Sequence, residues 1–178
     1  MKFRPRQILL TLLIVVIVFL GMNFSLDSFE IDGESMEPGF HNGQYILVNK
    51  LTYRLGSPHR GDVIVFHHPQ APNQLYIKRI IGLPEEEVEI IDNKIYIDSK
   101  LLEESSYIPS LTYQGSYSIV VPPDHYFVLG DNRNHSSDSR LGWTVPRDNI
   151  VGNAWISYWP VGDLGLTPGY SWALTEAP

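Results

Sequence analysis

The chain reads as one mostly β domain carried behind a single N-terminal transmembrane helix. Three observations predict this. Residues 8–26 are apolar over a membrane-length stretch behind a basic flank. The remainder breaks into short β-branched and aromatic runs separated by turn residues, and it shows no long helical periodicity. The 178 residues suit one domain plus an anchor. The expected division is a cytoplasmic N-terminus (1–7), an anchor (8–26), an extracytoplasmic domain (27–160) and a loosely attached Gly/Pro-containing tail (161–178).

The anchor follows from length and flanks. Lys2, Arg4 and Arg6 precede Ile8 to Met22, where Thr11 is the only polar interruption. That run covers about 22 Å of helix, short for a hydrocarbon core of roughly 30 Å, and extension to Leu26 brings it to about 28 Å. The basic flank keeps the N-terminus cytoplasmic and sends everything after Leu26 across the bilayer. A cleavable signal peptide is the alternative. Asn23-Phe24-Ser25-Leu26 offers no small-x-small cleavage site for it.

The strands come next in order. Tyr45-Ile46-Leu47-Val48 and Val63-Ile64-Val65-Phe66 are apolar runs of strand length, the second introduced by Gly61-Asp62. Tyr76 to Ile81 reads as a buried strand interrupted by Lys78 and Arg79. Val88 to Asp98 reads as a hairpin turning at Asp92-Asn93. Tyr117 to Val121, Tyr126 to Leu129 and Ala154 to Trp159 complete the series.

Composition excludes some chemistry. There is no cysteine, so disulfides, thiolate metal sites and a cysteine nucleophile are ruled out. Setting aside Lys2, Arg4 and Arg6 leaves 10 Lys and Arg against 20 Asp and Glu, a formal −10 beyond the anchor. Such a surface disfavours nucleic acid, which needs basic patches. No phosphate-binding loop or dinucleotide fingerprint is present, and no cofactor is expected. His67 and His68 are neighbours on a strand and point to opposite faces, so no metal site is expected either.

The residues that point to chemistry are Lys78 and Ser35. An ammonium on an apolar strand is costly unless paired or neutral, and a neutral lysine is a base. At a reference pKa near 10.4, about one lysine in 2,500 is neutral at pH 7; lowering by about three units makes a large fraction neutral. In strand geometry Tyr76, Lys78 and Ile80 share one face, and Ile77, Arg79 and Ile81 the other. Lysine on an edge strand, its charge reaching water, is the bland alternative. Ser35 stands in Ser35-Met36-Glu37-Pro38 after Asp32-Gly33-Glu34, a turn that suits presentation of a hydroxyl. A serine hydroxyl needs a base to become a nucleophile. The third element is the polar run Gly130 to Arg140 behind Tyr126-Phe127-Val128-Leu129, either a solvated loop or a wall of the site.

Together these elements, with Arg60-Gly61-Asp62-Val63-Ile64-Val65-Phe66, resemble the type I signal peptidases. The shared pattern comprises the anchor, the Ser-Met-x-Pro box, the Gly-Asp-aliphatic box, Lys78-Arg79-Ile80-Ile81-Gly82-Leu83-Pro84, and Gly-Asp-Asn-Arg-x-x-Ser-x-Asp-Ser-Arg. The resemblance implies antiparallel sheets with a Ser/Lys dyad in a groove near the membrane. It assigns Ser35 as nucleophile, Lys78 as general base and Ser136 as the hydroxyl that orients the lysine. Asp138 and Arg140 match a supporting ion pair, and Asp131 and Arg79 fall on supporting positions. The Ser35 N–H would serve the oxyanion. Gly33 stands where some members carry a serine that adds an oxyanion donor.

The implied activity is removal of signal peptides from translocated preproteins after small-x-small sites, through an acyl-enzyme. The implied partners are such preproteins and the lipid bilayer, at the plasma membrane or an organelle membrane. Three alternatives stand beside it: a self-cleaving serine–lysine peptidase, a Ser35-His135-Asp triad, and a catalytically silent tethered binding module. Trp143, Trp155, Trp159 and Trp172 read as packing residues, or as an apolar rim resting on the bilayer.

Overall fold

Burial alternates along the strands Tyr45–Asn49, Glu87–Ile91 and Lys94–Ile97, and three clusters of buried residues meet at the strand that carries Lys78. In a computed structural model, residues 5–104, 116–168 and 173–176 are described. Helix α1 (Pro5–Ser25) leads into β1 (Leu26–Glu30) and β2 (Tyr45–Asn49), followed by the short helix α2 (Thr52–Leu55). Next come β3 (Val63–His68), β4 (Ala71–Gly82), β5 (Glu87–Ile91), β6 (Lys94–Ile97) and β7 (Lys100–Glu103). The chain continues through β8 (Tyr117–Val120), β9 (His125–Leu129), β10 (Val145–Pro146) and β11 (Ile150–Trp159). It closes with β12 (Gly165–Leu166) and β13 (Ala173–Glu176).

An eight-stranded sheet runs β1-β2-β11-β3-β4-β9-β10, with β12 paired to β11. A five-stranded sheet runs β13-β7-β6-β5-β8. The pairings are antiparallel throughout, as expected of a mostly β fold. The hairpin at Asp92-Asn93 forms, with φ of 49° and 65°, the left-handed pair that a two-residue loop needs.

Two sequence expectations change. Leu26, counted with the apolar segment, instead opens β1 and pairs with Asn49. The stretch expected to be a loose tail contributes β12 to one sheet and β13 to the other, with Leu174 opposite Leu102. Its short strands carried too few β-branched residues to stand out. Trp172 lies outside the described residues.

The side chains of α1 are described over residues 6–17 and at Gly21, Phe24 and Ser25, and Ile8 to Ile17 are exposed apolar residues apart from Thr11. Among the described residues no helix is long and apolar enough to cross a membrane.

The core divides into three clusters meeting at β4. Ile77 packs with Ile31, Met36, Phe40, Ile46 and Val48. Ile80 and Tyr76 pack with Phe66, Val128 and Trp143, and Ile81 joins Val88, Ile90 and Ile97 of the second sheet. Tyr76 and Ile80 thus share a face opposite Ile77, the alternation that puts Lys78 on the side of Tyr76.

Candidate active site

The turn that carries Ser35 is fixed on both sides by apolar packing. Met36 and Phe40, each 1 % exposed, sink into the cluster around Ile77. The Phe40 N–H donates to Met36 O at 3.0 Å, and the Glu37 N–H donates to Glu34 O at 3.1 Å. Gly33 takes φ +103°, a region that side chains disfavour, and its N–H donates to Asn42 Oδ1 at 2.8 Å. The Asn132 N–H donates to Ser35 O at 3.0 Å, tying the turn to the loop after β9.

Lys78 is 3 % exposed, and its Nζ lies 2.6 Å from Ser35 Oγ and 2.8 Å from Ile77 O. Two residues well apart in sequence are therefore in hydrogen-bond contact. Burial lowers the Lys78 amine to about 8 from an ordinary 10.5, while the carboxylates of Asp138 and Asp131 act in the opposite direction. The Tyr76 ring stands 5.4 Å from Nζ, and His68 packs between Tyr76 and Trp143 at 4.7 and 4.8 Å. Burial, and secondarily the Lys78 charge, lower the His68 pKa. His67 points away and is exposed, so the two histidines face opposite sides as expected.

The polar run after β9 is a buried network. Arg79 donates Nε to Asp131 Oδ1 at 2.8 Å and Nη2 to Oδ2 at 2.6 Å, a bidentate pair in which both residues are 0 % exposed. Its Nη1 reaches Gly61 O at 2.8 Å and Pro168 O at 3.3 Å. Arg140 pairs with Asp138 through Nε and Nη2, both at 2.8 Å, and Asp138 Oδ2 also accepts from the Gly130 N–H at 3.1 Å. The expected Asp138–Arg140 pair is therefore present, and Asp131 and Arg79 are partners of each other.

Ser136 differs from expectation. Its Oγ is buried without a hydrogen-bond partner among the described residues, the lysine included. The hydroxyl occupies the space that a side chain on Gly130 would take, next to Ser35 O. Lys78 uses Ile77 O as its second acceptor instead.

A cleft of about 510 Å³ opens over the pair, with Phe29, Leu75, Tyr76 and Ile77 as apolar wall and Gly33, Ser35, Lys78 and His135 as its polar floor and rim. His135 lines the cleft, yet among the described residues its ring bonds neither to Ser35 nor to Asp131 or Asp138. Sequence reading missed Arg133, which is 1 % exposed, donates Nε to Gly130 O at 2.9 Å and pairs with Glu104. Its place in the polar run was a signal; Glu104, outside every motif, gave none.

Comparison with known proteins agrees across most of the chain. The sequence model of the family described as signal peptidase, peptidase S26, matches residues 4–159. The chain is similar to a probable signal peptidase I-2 of Synechocystis sp., 36% identical over 162 residues, covering 88% of this chain and 74% of that protein. It is 39% identical over 166 residues to a signal peptidase I of Leptolyngbya laminosa, covering 87% and 81%. To the signal peptidase I U of Bacillus subtilis it is 32% identical over 173 residues, covering 92% and 91%. Among solved structures, a signal peptidase I of Enterococcus faecalis V583 matches with 33% identity and a TM-score of 0.48, over 55% of this chain and 97% of that one.

Proposed function

The chain belongs to the signal peptidase family, peptidase S26, and on that premise we propose that it cuts translocated preproteins with a Ser35/Lys78 dyad while tethered by α1. It is a serine endopeptidase, and the substrates of its family are preproteins that carry signal peptides. The observation that carries the dyad is the 2.6 Å contact between Ser35 Oγ and the buried Lys78 Nζ.

With the Lys78 amine held near 8, about one molecule in ten carries a neutral lysine at pH 7. The lone pair takes the Ser35 proton as Oγ attacks the carbonyl carbon of a small residue. The oxyanion develops beside the Ser35 N–H, which has no acceptor among the described residues. Lys78 then protonates the leaving amine, and in the second half-reaction it removes a proton from the water that cleaves the acyl-enzyme. Asp131, Asp138, Arg79 and Arg140 support this arrangement by fixing the loop behind the lysine. Gly33 lets the turn bring its backbone against the cleft, and a rotation of Ser136 would bring its free hydroxyl into play. The apolar wall suits small side chains of an extended substrate.

Tethering rests on length and surface. In the sequence, the apolar run from Ile8 to Leu26 has membrane length and stands behind Lys2, Arg4 and Arg6. Trp155 and Trp159 of β11, Leu166 of β12, and Val161 and Leu164 in the connection between them are exposed apolar residues, and these strands belong to the same sheet as β1, where α1 ends. The expected layout is residues 1–7 cytoplasmic and the β domain on the far side of a plasma or organelle membrane.

The test is cleavage of a preprotein bearing an Ala-x-Ala site, in detergent, with mass spectrometry of the products. Cutting after the second alanine by the wild type and not by Ser35→Ala is the expected result. A folded wild type that leaves several such substrates intact would refute it.

A further inference from the structure

We infer that the cleft beside the exit of α1 binds the phosphate of an anionic lipid headgroup, an assignment that rests on α1 being the membrane anchor. Lys50, Arg54 and Arg147 line a cleft of about 410 Å³ together with Tyr53, His67 and Asp148. Two contacts fix it at the end of the helix. The Lys50 N–H donates to Ser25 O at 2.8 Å, and the Arg54 guanidinium stands 4.1 Å over the Phe24 ring. If α1 spans the bilayer, Phe24 and Ser25 lie at the headgroup level, and the cleft opens there.

The charge balance of this cleft runs against that of the domain. Beyond the anchor the chain carries twice as many acidic as basic residues. Here three cations meet Asp148 in the cleft and Asp27, which pairs with Lys50 at 3.5 Å. Arg147 is held by neutral acceptors, Tyr53 O at 3.3 Å and Gly56 O at 2.8 Å, with Ser57 Oγ at 3.4 Å. Arg54 has the Phe24 ring and no carboxylate partner among the described residues. Arg54 thus keeps both charge and donors available, and Arg147 adds its charge. The planar fork of a guanidinium matches phosphate oxygens, and basic pockets at the membrane surface are the usual receivers of anionic headgroups. The cleft shares no lining residue with the one over Ser35 and Lys78, so no catalytic group takes part.

Native mass spectrometry of the full chain in detergent, offered equal phosphatidylglycerol and phosphatidylcholine, tests the site. The wild type is expected to retain phosphatidylglycerol by about tenfold over phosphatidylcholine. Lys50→Gln with Arg54→Gln should bring the ratio close to one while cleavage of a short peptide substrate stays unchanged. That double variant leaves the Arg147 bonds in place, so a lost preference is not a lost fold. No preference in the wild type, or an undiminished preference in the variant, overturns the site. Inorganic phosphate retained without a lipid preference would mean an ion site and overturns the lipid assignment. Failure of the anchor reading shows separately, as a chain recovered outside phosphatidylcholine vesicles on reconstitution.

Discussion

Burial holds the Lys78 amine at about 8 in the folded chain, against 10.5 for a free lysine, with Asp138 and Asp131 pulling it upward. Between those two values the unfolded chain binds more proton at this residue than the folded chain does, so its contribution to stability rises with pH across that window. Below pH 8 the full cost, about 3 kcal/mol, is present. Lys78→Met should therefore be inactive yet more stable than wild type at pH 7 by up to about 3 kcal/mol. The difference should close as the pH passes 10.5, which paired denaturant titrations at pH 7 and above pH 10 would read. Equal stability at pH 7 would mean that the amine is not desolvated. Lys78→Ala and Lys78→Arg should each lose at least about a thousandfold in kcat/KM, because alanine has no base and arginine does not deprotonate. Substantial activity in either variant would take the lysine out of the mechanism.

At the scale of elements, the site is a turn after β1 held against a loop after β9, and Gly130 is where they touch. A Cβ there would lie 2.5 Å from Ser35 O and inside the Ser136 side chain. Gly130→Ala should cost both stability and most of the activity, since the backbone that carries Ser35 must move. Gly33→Ala meets open space but has φ +103°, so the cost should be backbone strain of about 1 kcal/mol with activity largely kept. Thermal melts and kcat/KM for the two variants separate crowding from strain, and equal activity losses would contradict the distinction. The strands with strong alternation, such as Tyr45–Val48 and the hairpin at Asp92-Asn93, were legible because one face is buried and the turn residues tolerate positive φ. The strands β7, β10, β12 and β13 were not. They are short, and β13 joins its sheet through β7, far from it in sequence, which local patterning does not record.

For the whole molecule, Lys78 could be singled out in the sequence because a cation inside an apolar strand contradicts its neighbours. Its meeting with Ser35 follows from topology, with β4 central in the larger sheet and the Ser35 turn packed over it. Ionic partners were harder to read. Asp138 and Arg140 are two residues apart, whereas Arg79–Asp131 and Arg133–Glu104 join elements that only the fold brings together. The orientation of the Ser136 hydroxyl depends on packing against Gly130, which no pattern of residue types specifies. The proposed function rests on activation of Ser35 by a neutral Lys78. The most direct test is the pH dependence of kcat/KM for preprotein cleavage by the full chain in detergent. kcat/KM should rise tenfold per pH unit and level off near pH 8, where burial places the amine. A profile that stays flat from about pH 5 to 9 while chemistry limits the rate would contradict it.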